Sequence, residues 1–442
     1  MHLAIPARLR RPAFLMVEAA IYGLCVLLSG SAFEAVYIAA VPGFLAWVLL
    51  TRPNGHGRRP SKRHLVYCGL LGAAVTGYVV GYAKVTPGVT VRWGEVAAAM
   101  YFLGSLHVIL WCLDAGVRAG FPRALALCRI KGPRWRATAE TGLRIAAMFL
   151  IGVPLVAAAL TTHWVKFGDA TDPGQLCGLP YERAGFYSSD GVHLRAWFMP
   201  TRDAIGGDST VILVPARGMG KAGAIRQAKS LMETGSNVLL VDLRGEGDSE
   251  GHLRGFGVVE SKDVSAAVSY LRQVRPRQSR QVFALGISEG ASAVLGAAAT
   301  DQRIEAVVAD SVLPSPRDEI RQSTSWLPWP LGGYFREATL LFASVQLGHD
   351  LRAEGASGSI PWISPRPVLL IHGQADTAVP MQAVEKLCSS AGYPIMLWRV
   401  PGAGHAEPFL REPQGYSQVV SKTLRSVRAG LPAFQWARGG SQ

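Results

Sequence analysis

The sequence is poor in cysteine, and its six cysteines form no pattern that marks a metal or redox site. It contains no C-x-x-C pair and no Cys/His spacing typical of zinc binding. It also lacks a glycine-rich phosphate loop with a lysine ahead of a helix, so no nucleotide is implied. We therefore expect neither a metal nor another cofactor. Only Cys177 and Cys388 lie in the C-terminal part, and the sequence leaves open whether they pair.

Acidic residues are scarce in the first 165 residues. That segment holds 17 Lys and Arg but only 5 Asp and Glu, whereas the rest of the chain holds 28 and 26. The net charge of +14 is therefore concentrated in the N-terminal segment, where most of the apolar excess also lies. Basic loops between apolar runs are typical of membrane topology, and the C-terminal part is nearly neutral. We expect no nucleic-acid partner.

Five apolar stretches occupy the N-terminal segment. Each is close to the roughly 20 residues that a helix needs to cross the hydrocarbon core of a bilayer. They cover residues 13–30, 33–51, 64–83, 96–114 and 144–162. The first follows Arg8, Arg10 and Arg11 and could be mistaken for a signal peptide, but the spans that come directly after it favour a retained helix.

The basic residues also indicate an orientation. Their clusters precede the first stretch and follow the second and the fourth. Only five crossings place all three clusters on one side, as the positive-inside rule requires. We therefore predict a multi-pass region over residues 1–165 of a cell-membrane protein, with the lipid bilayer as a partner. The N-terminus would be cytoplasmic, and everything after Thr162 would be extracytoplasmic.

The C-terminal part alternates between strand-like and helical patterns. A hairpin is predicted around Asp190-Gly191, and from Thr210 onward apolar runs alternate with helical segments. This alternation predicts an α/β fold with a mostly parallel central sheet and helices on both faces. We divide the chain into a connector over 166–180, a core over 181–310 and 365–430, an insertion over 311–364 and a tail over 431–442.

The pentapeptide Gly286-Ile287-Ser288-Glu289-Gly290 lies between a predicted strand and a predicted helix. A G-x-S-x-G sequence in this setting is a nucleophile elbow, in which a strained turn exposes the serine hydroxyl at the edge of a sheet. Such a hydroxyl needs a neighbouring base before it can act as a nucleophile.

Residues 181–430 resemble the α/β-hydrolase superfamily of serine hydrolases. The resemblance is carried by the elbow, the first hairpin and the segment Asp242–Ser249, which is similar to the D-x-R-G-x-G-x-S loop of that superfamily. It implies that Ser288 is the nucleophile, His405 the base and Asp376 the acid, in the chain order typical of this fold. Asp310 is the rival acid.

The resemblance also implies an oxyanion hole formed by the backbone N–H groups of Met219 and Glu289. Relatives usually carry a histidine where this chain has Arg217. The arginine is compatible with a preference for anionic substrates, and equally with an ion pair to a loop carboxylate such as Glu246 or Asp248.

The insertion 311–364 falls where the superfamily carries a cap over the active site, and it contains Trp326 and Trp329. These residues could line an apolar acyl pocket, contact the membrane interface or pack on the core. We expect a membrane-anchored serine hydrolase that acts on small-molecule or lipid esters through an acyl-enzyme. The alternatives are a serine peptidase acting on short peptides and a non-catalytic sensory or scaffolding module.

Overall fold

The computed structural model describes residues 89–91, 109–110, 112–120, 133–163, 166–169, 171–201, 207–325 and 327–434. The chain divides into two units. The helical unit contains Val96–Thr161 together with Ser323–Ala343 of the insertion. The sheet unit contains Tyr82–Glu95, Thr162–Gln322 and Ser344–Gln442.

The strands are β1 Val89–Val91, β2 Phe167–Asp169, β3 Glu182–Tyr187, β4 His193–Met199, β5 Ser209–Val214, β6 Asn237–Asp242, β7 Gln281–Ile287, β8 Ile304–Asp310, β9 Val368–Gly373 and β10 Ile395–Val400. The helices are α1 Pro133–Ala147, α2 Val153–Thr162, α3 Pro173–Cys177, α4 Ile225–Glu233, α5 Ser261–Val274, α6 Glu289–Thr300, α7 Pro316–Ser323, α8 Leu331–Leu347, α9 Ala356–Ser359, α10 Met381–Ser390, α11 Pro408–Arg411 and α12 Pro413–Arg428. Residues 112–120 are also helical.

Eight strands form one sheet in the order β10-β9-β8-β7-β5-β6-β4-β3. The six strands from β10 to β6 are parallel, and the hairpin β3–β4 joins β6 in antiparallel orientation. Strands β5, β6 and β9 are buried along their whole length, because helices cover both faces of the sheet. The predicted α/β-hydrolase fold is confirmed.

Alternate residues of each strand enter two separate hydrophobic clusters. On β5, Ile212 and Val214 face the cluster covered by α5, α6 and α10, whereas Val211 and Leu213 face the cluster covered by α4 and α12. Cys388 packs against the first cluster and Cys177 against the second. Both cysteines are free thiols, so the structure contains no bond between them.

In the helical unit, α1 continues through a π-helical turn, Met148–Gly152, into α2. The segment Trp135–Thr162 has 28 residues and a mean hydropathy of 2.2 over its most apolar window, so it is long and apolar enough to cross a membrane. It is the one such helix among the described residues, and it contains the fifth predicted span. The first three predicted spans and most of the fourth lie outside the described residues.

The helical unit holds a buried ion pair. Nε of Arg144 donates to the carboxylate of Asp114 over 2.6 Å, and both side chains are almost fully buried. Arg118 binds the same carboxylate. Buried charges are tolerated when they are paired in this way. The pair joins the end of the fourth predicted span to the beginning of the fifth.

The middle of the insertion belongs to the helical unit. The ring of Phe335 packs edge-on against Phe149 at 4.9 Å, and the hydroxyl of Tyr334 donates to the carbonyl of Leu150. Val153 and Ala157 complete this small core. From the sequence we predicted that 311–364 is a single cap, whereas the structure divides this segment between the two units.

Candidate active site

Ser288 lies between β7 and α6 with a φ of 56°, in a region that non-glycine residues rarely adopt. The flanking glycines make this turn possible. A Cβ atom on Gly286 would lie 2.1 Å from the carbonyl oxygen of Gly290, and one on Gly290 would lie 2.6 Å from that of Pro215. The turn therefore has the geometry of a nucleophile elbow.

Three predicted site residues form a chain of two hydrogen bonds. Oγ of Ser288 is 2.8 Å from Nε2 of His405, and Nδ1 of His405 is 2.8 Å from Oδ2 of Asp376. The residues follow β7, β10 and β9, so all three lie at the carboxyl edge of the parallel sheet. The other oxygen of Asp376 accepts backbone N–H groups from Ala378 and Val379. This orients the carboxylate toward His405.

The charges in this relay reinforce each other. Burial favours the neutral form of Asp376, but its bond to His405, the histidine's charge and the backbone donor of Val379 hold the pKa of this carboxyl below its ordinary value. Burial also opposes a charge on His405, yet Asp376 outweighs that effect and raises the pKa of the imidazole above 6.5. The arrangement therefore favours the imidazolium that forms when His405 accepts a proton.

The rival acid, Asp310, ends β8 and is buried, and burial raises its pKa to about 7. Its carboxylate accepts a hydrogen bond from the hydroxyl of Ser311, which in turn accepts the N–H of Ala406. Asp376 is thus the carboxylate that forms a hydrogen bond with His405, whereas Asp310 contacts the histidine loop through Ser311.

The two predicted oxyanion donors differ in their surroundings. Glu289 opens α6, where the first backbone N–H groups have no partner within the helix. The N–H of Met219, by contrast, donates to the carbonyl of Ala216 over 3.2 Å, because the chain turns tightly there. Met219 can therefore serve an oxyanion only by sharing or releasing that bond, which the sequence did not indicate.

Arg217 is ion-paired, although not with the predicted partners. Its guanidinium lies 3.0 Å from the carboxylate of Glu289 and 2.9 Å from that of Glu319 on α7. Burial disfavours its charge, but the surrounding carboxylates raise its pKa above the ordinary value. Glu246, one of the two expected partners, binds Arg254, which also approaches Glu289 at 3.4 Å.

The loop Asp242–Ser249 is held in place by ion pairs and hydrogen bonds of Arg244. Arg244 donates to the carboxylates of Asp263 and Asp190 and to the hydroxyl of Ser188. His372 is also structural, because it is buried and lies 2.9 Å from the carbonyl of Val379.

A second charged cluster was not predicted. The carboxylates of Asp169, Asp242 and Asp248 lie within 4.8 Å of one another, and the ammonium of Lys221 binds all three. Asp169 comes from the segment that the sequence indicated only as a connector. Its one signal is its position directly after the strand-like residues Phe167 and Gly168.

The two predicted pocket tryptophans are not brought to the relay by any described contact. Trp326 lies outside the described residues. Trp329 belongs to the helical unit and is 91% exposed. Their role as pocket residues stays a prediction.

A family model described as X-Pro dipeptidyl-peptidase (S15 family) matches residues 179–355. The matched region runs from the hairpin through the elbow into the insertion and ends before Asp376. The strand order, the elbow and this match together support an α/β-hydrolase superfamily domain.

Similar proteins occur in bacteria and plants. Uncharacterized protein YfhR of Escherichia coli (strain K12) is 29% identical over 234 residues, which cover 52% of this chain and 74% of YfhR. Alpha/beta hydrolase domain-containing protein WAV2 of Arabidopsis thaliana is 25% identical over 217 residues, which cover 48% of this chain and 67% of WAV2. Among solved structures, esterase Pf2001 of Pyrococcus furiosus matches with 23% identity and a TM-score of 0.47, over 56% of this chain and 91% of the esterase.

Proposed function

We propose that this protein is a serine hydrolase that cleaves carboxylic esters through an acyl-enzyme on Ser288. The observation that carries the proposal is the hydrogen-bonded relay from Ser288 through His405 to Asp376 on the strained elbow. The match to a peptidase family model and the α/β-hydrolase fold support the broader class, a hydrolase of the serine type.

In this proposal each member of the relay has its own role. Nε2 of His405 accepts the proton of the Ser288 hydroxyl as the oxygen attacks the ester carbonyl, and it then donates that proton to the leaving alcohol. Asp376 holds Nδ1 protonated and stabilises the imidazolium. The N–H of Glu289 stabilises the oxyanion, with Met219 as a second donor once its N–H is released. Water then hydrolyses the acyl-enzyme by the same steps in reverse.

The decisive test is labelling with a fluorophosphonate probe. Wild-type protein should be labelled, and Ser288→Ala should not, because the probe reacts with an activated serine hydroxyl. Ser269→Ala is the matched control, since Ser269 lies on α5 and donates to the carbonyl of Ser265. Folded wild-type protein that takes up no Ser288-dependent label would refute the hydrolase and favour the non-catalytic module.

A serine peptidase acting on short peptides is the second candidate, and the family model favours it. Both reactions use the same relay, but amides need a more complete proton transfer to the leaving nitrogen. Kinetic constants for p-nitrophenyl esters and for aminoacyl anilides, including X-Pro anilides, separate the two. A higher kcat/KM for the anilides would replace the esterase with a peptidase.

We also propose that the N-terminal region anchors the hydrolase in the cell membrane, with the catalytic domain outside the cytoplasm. The length and hydropathy of Trp135–Thr162 support one crossing. The pairing of β1 with β2 supports an even number of crossings between them. It joins the loop before the fourth predicted span to the segment after the fifth. Two crossings between paired segments return the chain to the same side.

The topology is tested with reporters fused to the C-terminus. A phosphatase that is active only outside the cytoplasm should be active there, and a reporter that is active only inside should be silent. The opposite pattern would place the catalytic domain in the cytoplasm.

A further inference from the structure

The segment that follows α2 is bound to the loops around the candidate active site. The carbonyl of Thr162 accepts the N–H of Arg254, and Nζ of Lys166 donates to the carbonyl of Ser249. Asp169 accepts the N–H of Ala222 at 3.1 Å. The segment Thr162–Asp169 therefore does more than link two parts of the chain.

A further contact of this segment lies directly after the loop that carries Met219. We call residues 215–220 the oxyanion loop, and Lys221 comes directly after it. The N–H of Lys221 donates to Asp242 at 2.7 Å, and its ammonium binds the carboxylates of Asp242 and Asp169. The ammonium also lies 4.6 Å from the centre of the Trp197 ring.

Lys221 is 1% exposed, so its charge depends on these partners. A buried ammonium without sufficient counter-charge is strongly unfavourable, and a chain segment that can move will move to relieve it. Asp248 is 40% exposed and is a weaker partner because water screens it. Asp169 and Asp242 are therefore the main counter-charges that hold Lys221 at the end of the oxyanion loop.

We propose that Asp169 is a positioning residue for catalysis, which holds the oxyanion loop in place through Lys221 and Ala222. The segment between the N-terminal helix and the hydrolase core thereby becomes a part of the catalytic apparatus. This inference rests on the proposed hydrolase function. It adds that the acylation rate depends on a residue that lies before the core begins.

The test is Asp169→Asn in the full-length protein, with Asp172→Asn as the matched control. Asp172 lies three residues away and caps α3 by accepting the N–H of Gln175, without a contact to Lys221. We expect Asp169→Asn to lower kcat for p-nitrophenyl esters and the rate of fluorophosphonate labelling about 10- to 100-fold. This decrease should not exceed the decrease in kcat that follows from removing one oxyanion donor. KM should stay within about twofold, and Asp172→Asn should behave like wild type.

A double-mutant cycle with Lys221→Met separates positioning from general destabilisation. If Asp169 acts through Lys221, the double variant should lose no more activity than Lys221→Met alone. Should Lys221→Met fail to fold, Asp169→Glu supplies the second comparison, because a longer carboxylate should restore part of kcat that the amide cannot.

The outcomes distinguish this inference from the proposed function. Equal kcat and labelling rates in Asp169→Asn and Asp172→Asn would overturn the positioning role while leaving the hydrolase intact. A variant whose melting temperature falls while kcat at low temperature is unchanged would overturn it too. Folded wild-type protein without Ser288-dependent labelling would instead refute the hydrolase itself.

Discussion

Replacing Asp376 by asparagine is the most direct test of the acid in the relay. Asp376 accepts Nδ1–H of His405 and two backbone N–H groups, so its side chain cannot rotate freely. An asparagine held in the same place turns either an amide oxygen or an amide N–H toward His405. In the second case it forces the tautomer in which Nε2 is protonated, and that tautomer cannot accept the proton of Ser288.

The magnitude follows from the role of the aspartate. Loss of a triad aspartate lowers kcat by about 10⁴-fold, which corresponds to about 5.4 kcal/mol of transition-state stabilisation. Asp310→Asn should cost less than about tenfold, because Asp310 binds Ser311 and not His405. The assay is kcat/KM for a p-nitrophenyl ester, with the labelling rate of Ser288 as a second measure and thermal unfolding as the control for folding. A large loss in Asp310→Asn with near-normal Asp376→Asn would show that the wrong carboxylate has been assigned.

Three further predictions concern pH and stability. The value of kcat/KM should rise with pH through one ionisation above pH 6.5, since His405 must be neutral to accept a proton and Asp376 raises its pKa; a pH–rate profile with its midpoint below 6.5 would contradict this. Gly286→Ala should lower the free energy of unfolding by about 4 kcal/mol or more, because the new Cβ would lie 2.1 Å from a carbonyl oxygen, and denaturant titration measures it. Arg244→Met should lower the free energy of unfolding by about 3–5 kcal/mol, because it leaves Asp263 buried without its partner. Adding Asp263→Asn should recover part of that loss in the same denaturant titration. No recovery in the double variant would contradict the prediction.

The sequence was sufficient for the sheet and for the order of its elements. Apolar runs of five or six residues predicted strands that overlap β5 to β10, and Asp190-Gly191 predicted the hairpin turn between β3 and β4. These signals are local, since a strand buried on both faces must be apolar along its length. The order Ser288, Asp376, His405 placed three residues after strands of one parallel sheet, and such ends meet at one edge. Their catalytic role stays a prediction until it is measured.

The division of the insertion between the two units could not be predicted, because its apolar residues do not indicate which part of the chain they pack against. Trp329, Tyr334 and Phe335 would look the same in a cap over a pocket and in a helix packed against α2. Only the tertiary contacts of Phe335 with Phe149 and Val153 show that this segment belongs to the helical unit. Composition predicts that such residues will be buried, but it does not specify which residues they pack against.

The charged network around Ser288 could not be predicted either, because its ion pairs join residues that are distant in the sequence. Arg217 and Glu319 are 102 residues apart and occur in segments with no shared pattern, so nothing in the sequence pairs them. Their contact bears on substrate choice. Glu289 and Glu319 neutralise the charge of Arg217 through two ion pairs. The arginine therefore attracts an anionic substrate only weakly. The structure therefore favours the ion-pair interpretation of Arg217.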